Sequence, residues 1–166
     1  MLAFRSSRQA GGKRPPCVAT PTTATVGSDC AIGKKTVAVE LDLEARRRGL
    51  ESVFVPTGQT GIAIAGWGIA VDAVVSDFLA GAAEWLVVEG ARRGGKLLFV
   101  EGQGSLVHPM YSGVTLGLVH GSTPHLFVLC HAAGATEIEG CPGHRIPPCS
   151  APTRAESTIA TTGSGP

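Results

Sequence analysis

The sequence predicts an α/β fold, a parallel-sheet P-loop domain of three layers, and three observations predict it. Short apolar runs at 18–26, 52–56, 96–100 and 125–130 have the length of strands and are separated by stretches of helical spacing. Strands that alternate with helices call for right-handed crossovers and a parallel sheet, with sites at the strand C-termini. A glycine-framed lysine loop, Gly27-Ser28-Asp29-Cys30-Ala31-Ile32-Gly33-Lys34-Lys35-Thr36, follows the first strand and leads into a helix. That is the place where a chain can cradle phosphate.

The first strand is threonine-rich and carries Pro21, which cannot donate to a ladder. The helix after the loop runs from Gly33 or Lys34 to Arg48, with Val37, Ala38, Leu41 and Ala45 on one face. Arg46, Arg47 and Arg48 in its last turn, followed by Gly49, are a stop signal. Residues 52–56 form a short buried strand. From 70 to 92, Val71, Val74, Val75, Phe78, Leu79, Ala82, Trp85 and Leu86 recur at helical spacing, with a break expected near Gly81. Strands at 96–100 and 125–130 complete the pattern. Four strands are few for such a sheet, and after Cys130 the chain passes into proline, serine and threonine. An incomplete domain, a truncated version of a longer protein, is therefore expected. Residues 1–17 read as a disordered basic leader, 18–148 as the P-loop domain and 149–166 as a disordered tail.

Composition narrows the classes. The 166 residues suffice for one core, and 43% hydrophobic with 16% charged residues describes a globular soluble chain. A net charge of +1 points to neither nucleic acid nor an anionic membrane surface. No apolar run reaches the roughly 20 residues of a spanning helix. The N-terminus lacks the apolar core of a signal peptide. Five scattered cysteines read as free thiols, so a reducing cytoplasm is expected. The open edge of an incomplete sheet predicts self-association into a homo-oligomer.

The loop departs from an ordinary P-loop in two ways. Gly27 stands one residue farther from Gly33 than usual, and Lys35 occupies the position of the hydroxyl that holds Mg²⁺. A charged lysine cannot ligate magnesium, and Thr36 is turned about 100° away along a helix. Backbone N–H groups of residues 30–36 with Lys34 suit holding phosphate better than moving it.

Two further loops follow strands and converge on the same sheet edge. Glu101-Gly102-Gln103-Gly104-Ser105 offers a carboxylate as base, substrate anchor or outer metal ligand, with glycines that admit close backbone approach. Ser105 and His108 lie three apart in that loop, with no orienting acid identifiable for a nucleophile pair. Thr57-Gly58-Gln59-Thr60-Gly61 forms the third loop, and Asp72 and Asp77 follow it. Cys130-His131 with Cys141, His144 and Cys149 fits no standard zinc spacing, so no metal is expected there.

These motifs in order resemble two P-loop groups. Gly-Ser-Asp-x-x-Ile-Gly-Lys, a Gln-Thr-Gly loop and Glu-Gly-x-Gly after a strand resemble the dethiobiotin synthetase branch, which also spaces its first glycine wider. The continuous run GSDCAIGKKT, FVPTGQTGIAIAGWGIAVDAVVSDF, VEGQGSLVHP and VTLGLVHGSTP with LCH is more closely similar to a bacterial P-loop family long carried as a domain of unknown function. Its characterised members are D-glutamate N-acetyltransferases that use acetyl-CoA. The resemblance implies that Gly27 to Thr36 holds the phosphates of coenzyme A without phosphoryl transfer. It also implies that Thr57 to Gly61 and Glu101 to His108, including Gln103 and Ser105, line the acceptor side. Glu101 is then the first choice for the base that takes the amine proton, and His108 the second. The competing expectations are an ATP- and Mg²⁺-dependent ligase or kinase of the dethiobiotin synthetase kind, and an inactive phosphate-binding fragment.

Overall fold

The computed structural model describes residues 19–147. The leader and tail expected at 1–17 and 149–166 lie outside these residues, as do Val18 and Pro148 at the ends of the expected domain. The chain order is β1 (Thr22–Gly27), α1 (Lys34–Arg47), β2 (Ser52–Val55), α2 (Gln59–Ala65), α3 (Ser76–Arg92), β3 (Leu97–Val100), α4 (Ser112–Ser122) and β4 (Leu126–Cys130). The four strands form one sheet in the order β2-β3-β1-β4, and every pairing is parallel.

This order sets the layers. The connection β1–α1–β2 travels one way across the sheet, whereas β2–α3–β3 and β3–α4–β4 travel the other way. Right-handed crossovers then put α1 on one face and α3 with α4 on the opposite face. The packing agrees: α3 and α4 lie against each other, while α1 packs on β1, β2 and β3. The result is the three-layer α/β arrangement the sequence predicts. Direction reverses between β1 and β3, so the loops leaving their C-terminal ends diverge and open a crevice.

The core accounts for the sequence patterns. β1 is buried along its whole length because helices cover both faces of a central parallel strand. Leu79, Ala83, Leu86 and Val87 of α3 and Leu118 of α4 pack on Ala24, Val55, Leu98 and Val100 of the sheet. On α1, Asp42 is buried, accepts a 2.7 Å bond from the Ser52 hydroxyl and pairs with Arg46 at 2.9 Å. The Ser52 bond ties the helix to β2.

Several elements differ from expectation. The long helix begins at Ser76, not Ala70, and passes unbroken through Gly81. The interruption falls earlier, where Val71–Ala73 form a 3-10 turn that buries Val71. Phe78 and Trp85, placed on the apolar face by spacing, are exposed. Gln59, Thr60 and Gly61 lie in the first turn of α2 instead of in a loop. Helix α4 has little amphipathic pattern, and Gly113, Gly117 and Gly121 each cost about 1 kcal/mol of helix propensity. Two of them are needed for packing: a Cβ on Gly117 would sit 2.1 Å from Leu79 Cδ2, and one on Gly121 2.0 Å from Ala80 O. Beyond β4, an antiparallel bridge between Glu137 and Arg145 closes a turn whose Ile138, Cys141 and Ile146 pack on Val107.

Candidate functional site

The loop between β1 and α1 is shaped by its glycines. Gly27 leaves β1 where a Cβ would meet Ile32 Cδ1 at 2.7 Å and Lys34 Cδ at 3.0 Å. The first glycine therefore floors the loop beneath the stem of Lys34. Ala31 (φ 51°) and Gly33 (φ 92°) are left-handed, which turns the chain into α1. Gly33 caps α1 without any side-chain bond. The N–H groups of the first turn are thus left to a ligand, with the helix dipole behind them.

Lys34 is buried, and its ammonium donates to the carbonyl of Asp29 at 2.5 Å. Burial pushes its pKa down, and the nearby thiols of Cys30 and Cys130 and the Asp29 carboxylate oppose that shift. Ser28 is anchored from β4: its N–H donates to Cys130 O at 3.1 Å, and its hydroxyl lies 2.9 Å from His131 Nδ1. Sequence reading missed this serine–histidine pair. The signal lies in the register, because Gly27 pairs with Cys130 and the next residue on each strand must then be a neighbour.

Opposite the loop, Glu101 directly follows β3 and is buried. Its Oε2 accepts the N–H groups of Thr57 at 2.9 Å and Gly58 at 3.0 Å, while the Thr57 hydroxyl donates to Glu101 O at 2.7 Å. Burial raises the carboxyl pKa. The two N–H bonds and the charge of Lys35 pull it back, and Asp72 adds to the rise. Glycines make room for this arrangement. A Cβ on Gly61 would stand 2.1 Å from Glu101 Oε2, one on Gly58 2.2 Å from Gln103 Nε2, and one on Gly102 1.8 Å from Thr25 O.

Between these two walls lies a cleft of about 520 Å³. Of the residues singled out in the sequence, Cys30 through Thr36 line one side, and Gly58, Gln59, Thr60, Glu101 and Gln103 line the other. Asp72 joins them and accepts from Gln59 Nε2 at 3.1 Å. Gly27, Ser28, Asp29, Thr57, Gly61, Ser105 and His108 stand behind the cleft wall and do not line it. Tyr111 and Val114, which nothing in the sequence reading marked, do line it. They come from α4 and the residue before it, the helix whose glycines hid it.

Ser105 and His108 are both fully buried but do not form a nucleophile pair. The Ser105 hydroxyl accepts the Val107 N–H at 3.3 Å, and His108 Nδ1 accepts the Met110 N–H at 3.1 Å. No helix among the described residues is long and apolar enough to cross a membrane.

A lysine loop at a β1 C-terminus, facing a carboxylate from β3 across a switch-point crevice, is a P-loop arrangement. The pattern of the DUF1611 C-terminal P-loop domain, described as a domain of unknown function, matches residues 9–165. The chain belongs to the DUF1611 family. A crystal structure of a DUF1611 family protein from Anabaena variabilis superposes with a TM-score of 0.80 at 44% identity. That match covers 87% of this chain and 42% of the other. Two curated relatives carry the name D-glutamate N-acetyltransferase. The protein from Tritonibacter scottomollicae is 46% identical over 122 residues, 74% of this chain and 36% of its own length. The one from a Pseudoalteromonas species is 43% identical over 116 residues, 70% of this chain and 34% of its own. The present chain thus spans about a third of the length of either relative. Within the DUF1611 domain the match includes both walls of the cleft.

Proposed function

We propose that this P-loop domain holds the phosphates of acetyl-CoA on Gly27–Thr36 and takes part in acetyl transfer to the amine of a small acidic amino acid resembling D-glutamate. The observation that carries the proposal is that Lys35, in the position of the magnesium-binding hydroxyl, lines the cleft across from the buried Glu101 and acts on it through its charge. A second ammonium in that position favours binding anions over activating them through a metal. The names of the two relatives point to the same chemistry, and the family's P-loop supplies the phosphate cradle.

Acetyl-CoA, when bound, supplies an activated thioester. Glu101 is the group placed to act as base, because it lines the cleft and its raised pKa makes its carboxylate a stronger proton acceptor. Its Oε2 is fixed by Thr57 and Gly58, so the carboxylate is oriented before substrate arrives. With acetyl-CoA bound, Glu101 would take the proton of the attacking amine and return it to the departing thiolate. Lys35 and Asp72 offer the cleft one charge of each sign for the carboxylate and ammonium of the acceptor. His108, the second choice for a base, stands behind the wall and is given no part in proton transfer.

Calorimetric titration of the purified chain with coenzyme A and with ATP–Mg²⁺ tests this reading. The expected result is binding of coenzyme A that weakens when Lys34 is replaced, and no magnesium-dependent gain for ATP. Preference for ATP–Mg²⁺ would overturn it in favour of a ligase or kinase. Titration of neither ligand, together with a non-cooperative thermal melt, would mark an inactive fragment.

A further inference from the structure

Behind the first turn of the phosphate loop, three side chains of metal-ligating type converge. A carboxylate oxygen of Asp29, the sulfur of Cys30 and a ring nitrogen of His108 all lie within 4.8 Å of one another. Asp29 and His108 are buried, and Cys30 is half-buried and lines the cleft. The three come from two places distant in the chain, the loop after β1 and the loop between β3 and α4. No spacing rule applied to the sequence could have joined them, and the cysteines and histidines that the spacing did suggest form no such group among the described residues.

Asp29 retains capacity for a ligand, and His108 gains it by a change of tautomer. Asp29 Oδ1 accepts the Cys30 N–H at 2.6 Å and Oδ2 accepts the Glu139 N–H at 2.8 Å. Each oxygen keeps a second lone pair, and the two bonds fix the carboxylate's direction. His108 is fully buried with Nδ1 on the Met110 N–H, and among the described residues its other ring nitrogen has no hydrogen-bond partner. A buried ring nitrogen without a partner is costly and calls for an explanation.

We propose that Asp29, Cys30 and His108 bind a divalent transition ion of the zinc type, clamping the corner of the phosphate loop to the β3–α4 connection. One oxygen, one sulfur and one nitrogen donor suit a borderline ion and exclude calcium and magnesium, which take oxygen ligands. Bonds of about 2.0–2.3 Å set donor–donor edges of roughly 3.3–3.8 Å, so the group needs to close by about 1 Å. Three protein ligands leave the fourth tetrahedral position to water or ligand from the cleft that Cys30 lines. Binding removes the Cys30 proton outright. Ligation at the far nitrogen of His108 puts the ring proton on Nδ1 and opens the Met110 contact, one hydrogen bond exchanged for three metal bonds. The site also gives His108 a task that its place behind the cleft wall denied it as a base.

Titration of the chelator-treated full chain with Co²⁺ tests this. A cobalt–thiolate charge-transfer band that saturates at one equivalent and is erased by Zn²⁺ is the expected result. Cys30→Ser should abolish the band, and His108→Ala should weaken Co²⁺ binding about tenfold or more. No band in the unmodified chain, or an unchanged band in Cys30→Ser, would overturn the proposal. X-ray absorption of the zinc-loaded unmodified chain keeps the test independent of whether the variants fold. One sulfur with nitrogen and oxygen neighbours supports the site, and no sulfur or more than one refutes it.

Discussion

One wall of the cleft is a single run of chain, Cys30–Thr36, while the other is gathered from Gly58–Thr60 after β2, Glu101–Gln103 after β3 and Tyr111 before α4. The first wall is backbone and ammonium, set by left-handed turns at Ala31 and Gly33 and by the helix behind them. The second is a carboxylate whose position depends on two N–H donors and on close approaches that only glycine permits. The loop wall can hold a ligand by geometry that is local in sequence. The carboxylate wall can act on one only when three segments meet correctly.

Glu101→Gln separates the two walls most sharply. The amide oxygen still accepts from Thr57 and Gly58, so the wall stays built, but the proposed base is gone. Acetyl transfer should fall about 10²–10⁴-fold in kcat, with coenzyme A affinity unchanged by calorimetry. A loss of affinity as large as the loss of rate would show that the walls are not separate in function. Gly61→Ala reaches the same carboxylate indirectly. Its Cβ would stand 2.1 Å from Oε2, which has to move by about 1 Å, and a misplacement of that size costs roughly 10²-fold. An unchanged kcat would mean that the carboxylate's orientation is not what the reaction uses.

The same contrast explains what was legible in the sequence. The loop wall was readable because its glycines, lysines and following helix are neighbours in the chain. All four strands were readable as apolar runs of the right length, and β1 was buried enough to need no alternation. The start of helix α2 has the look of a loop because Thr57-Gly58-Gln59-Thr60-Gly61 has turn composition, whereas Gly58 makes room for Gln103 and Gly61 for Glu101. Helix α4 was missed because Gly117 and Gly121 trade propensity for contact with α3, a tertiary gain that no local window records. With α4 went Tyr111 and Val114. The spacing places the start of the long helix at Ala70, too early, because the buried 3-10 turn at Val71–Ala73 has the same spacing as a first helical turn.

Lys34→Ala addresses the loop wall. A charge-assisted bond contributes about 1.5–3 kcal/mol, so the Kd for coenzyme A should rise by about 10- to 100-fold, with the kcat of the saturated enzyme retained. The effect should also shrink in high salt. An intact Kd would remove the loop from the binding site altogether.

Acidity tests the carboxylate wall in a second way. Burial holds the Glu101 pKa above its ordinary value, so the acid limb of the rate profile should lie above roughly pH 4.3 and disappear in Glu101→Gln. Stability follows the opposite course. A raised carboxyl pKa favours the folded state while the group is protonated, and that contribution fades as pH rises through the folded value. The melting temperature of Glu101→Gln should therefore gain on the unmodified chain from about pH 4.3 upward. A gap that narrows over that range would contradict the burial argument.

The smallest effect is expected from Gly33→Ala, the counterpart of Gly61→Ala on the facing wall. At Gly33 a Cβ would meet nothing within 4 Å, so there is no collision to relieve. The cost comes only from the left-handed backbone at φ 92°, about 1–2 kcal/mol for a residue with a side chain. For a chain of this size that is a fall of about 2–8 °C in melting temperature, with kcat near that of the unmodified protein. Gly61→Ala, on a helix with ordinary backbone angles, should do the reverse and lower kcat with little change in melting. Exchanged outcomes would mean that the loop wall is the one that needs precise positioning and that the carboxylate wall is a scaffold.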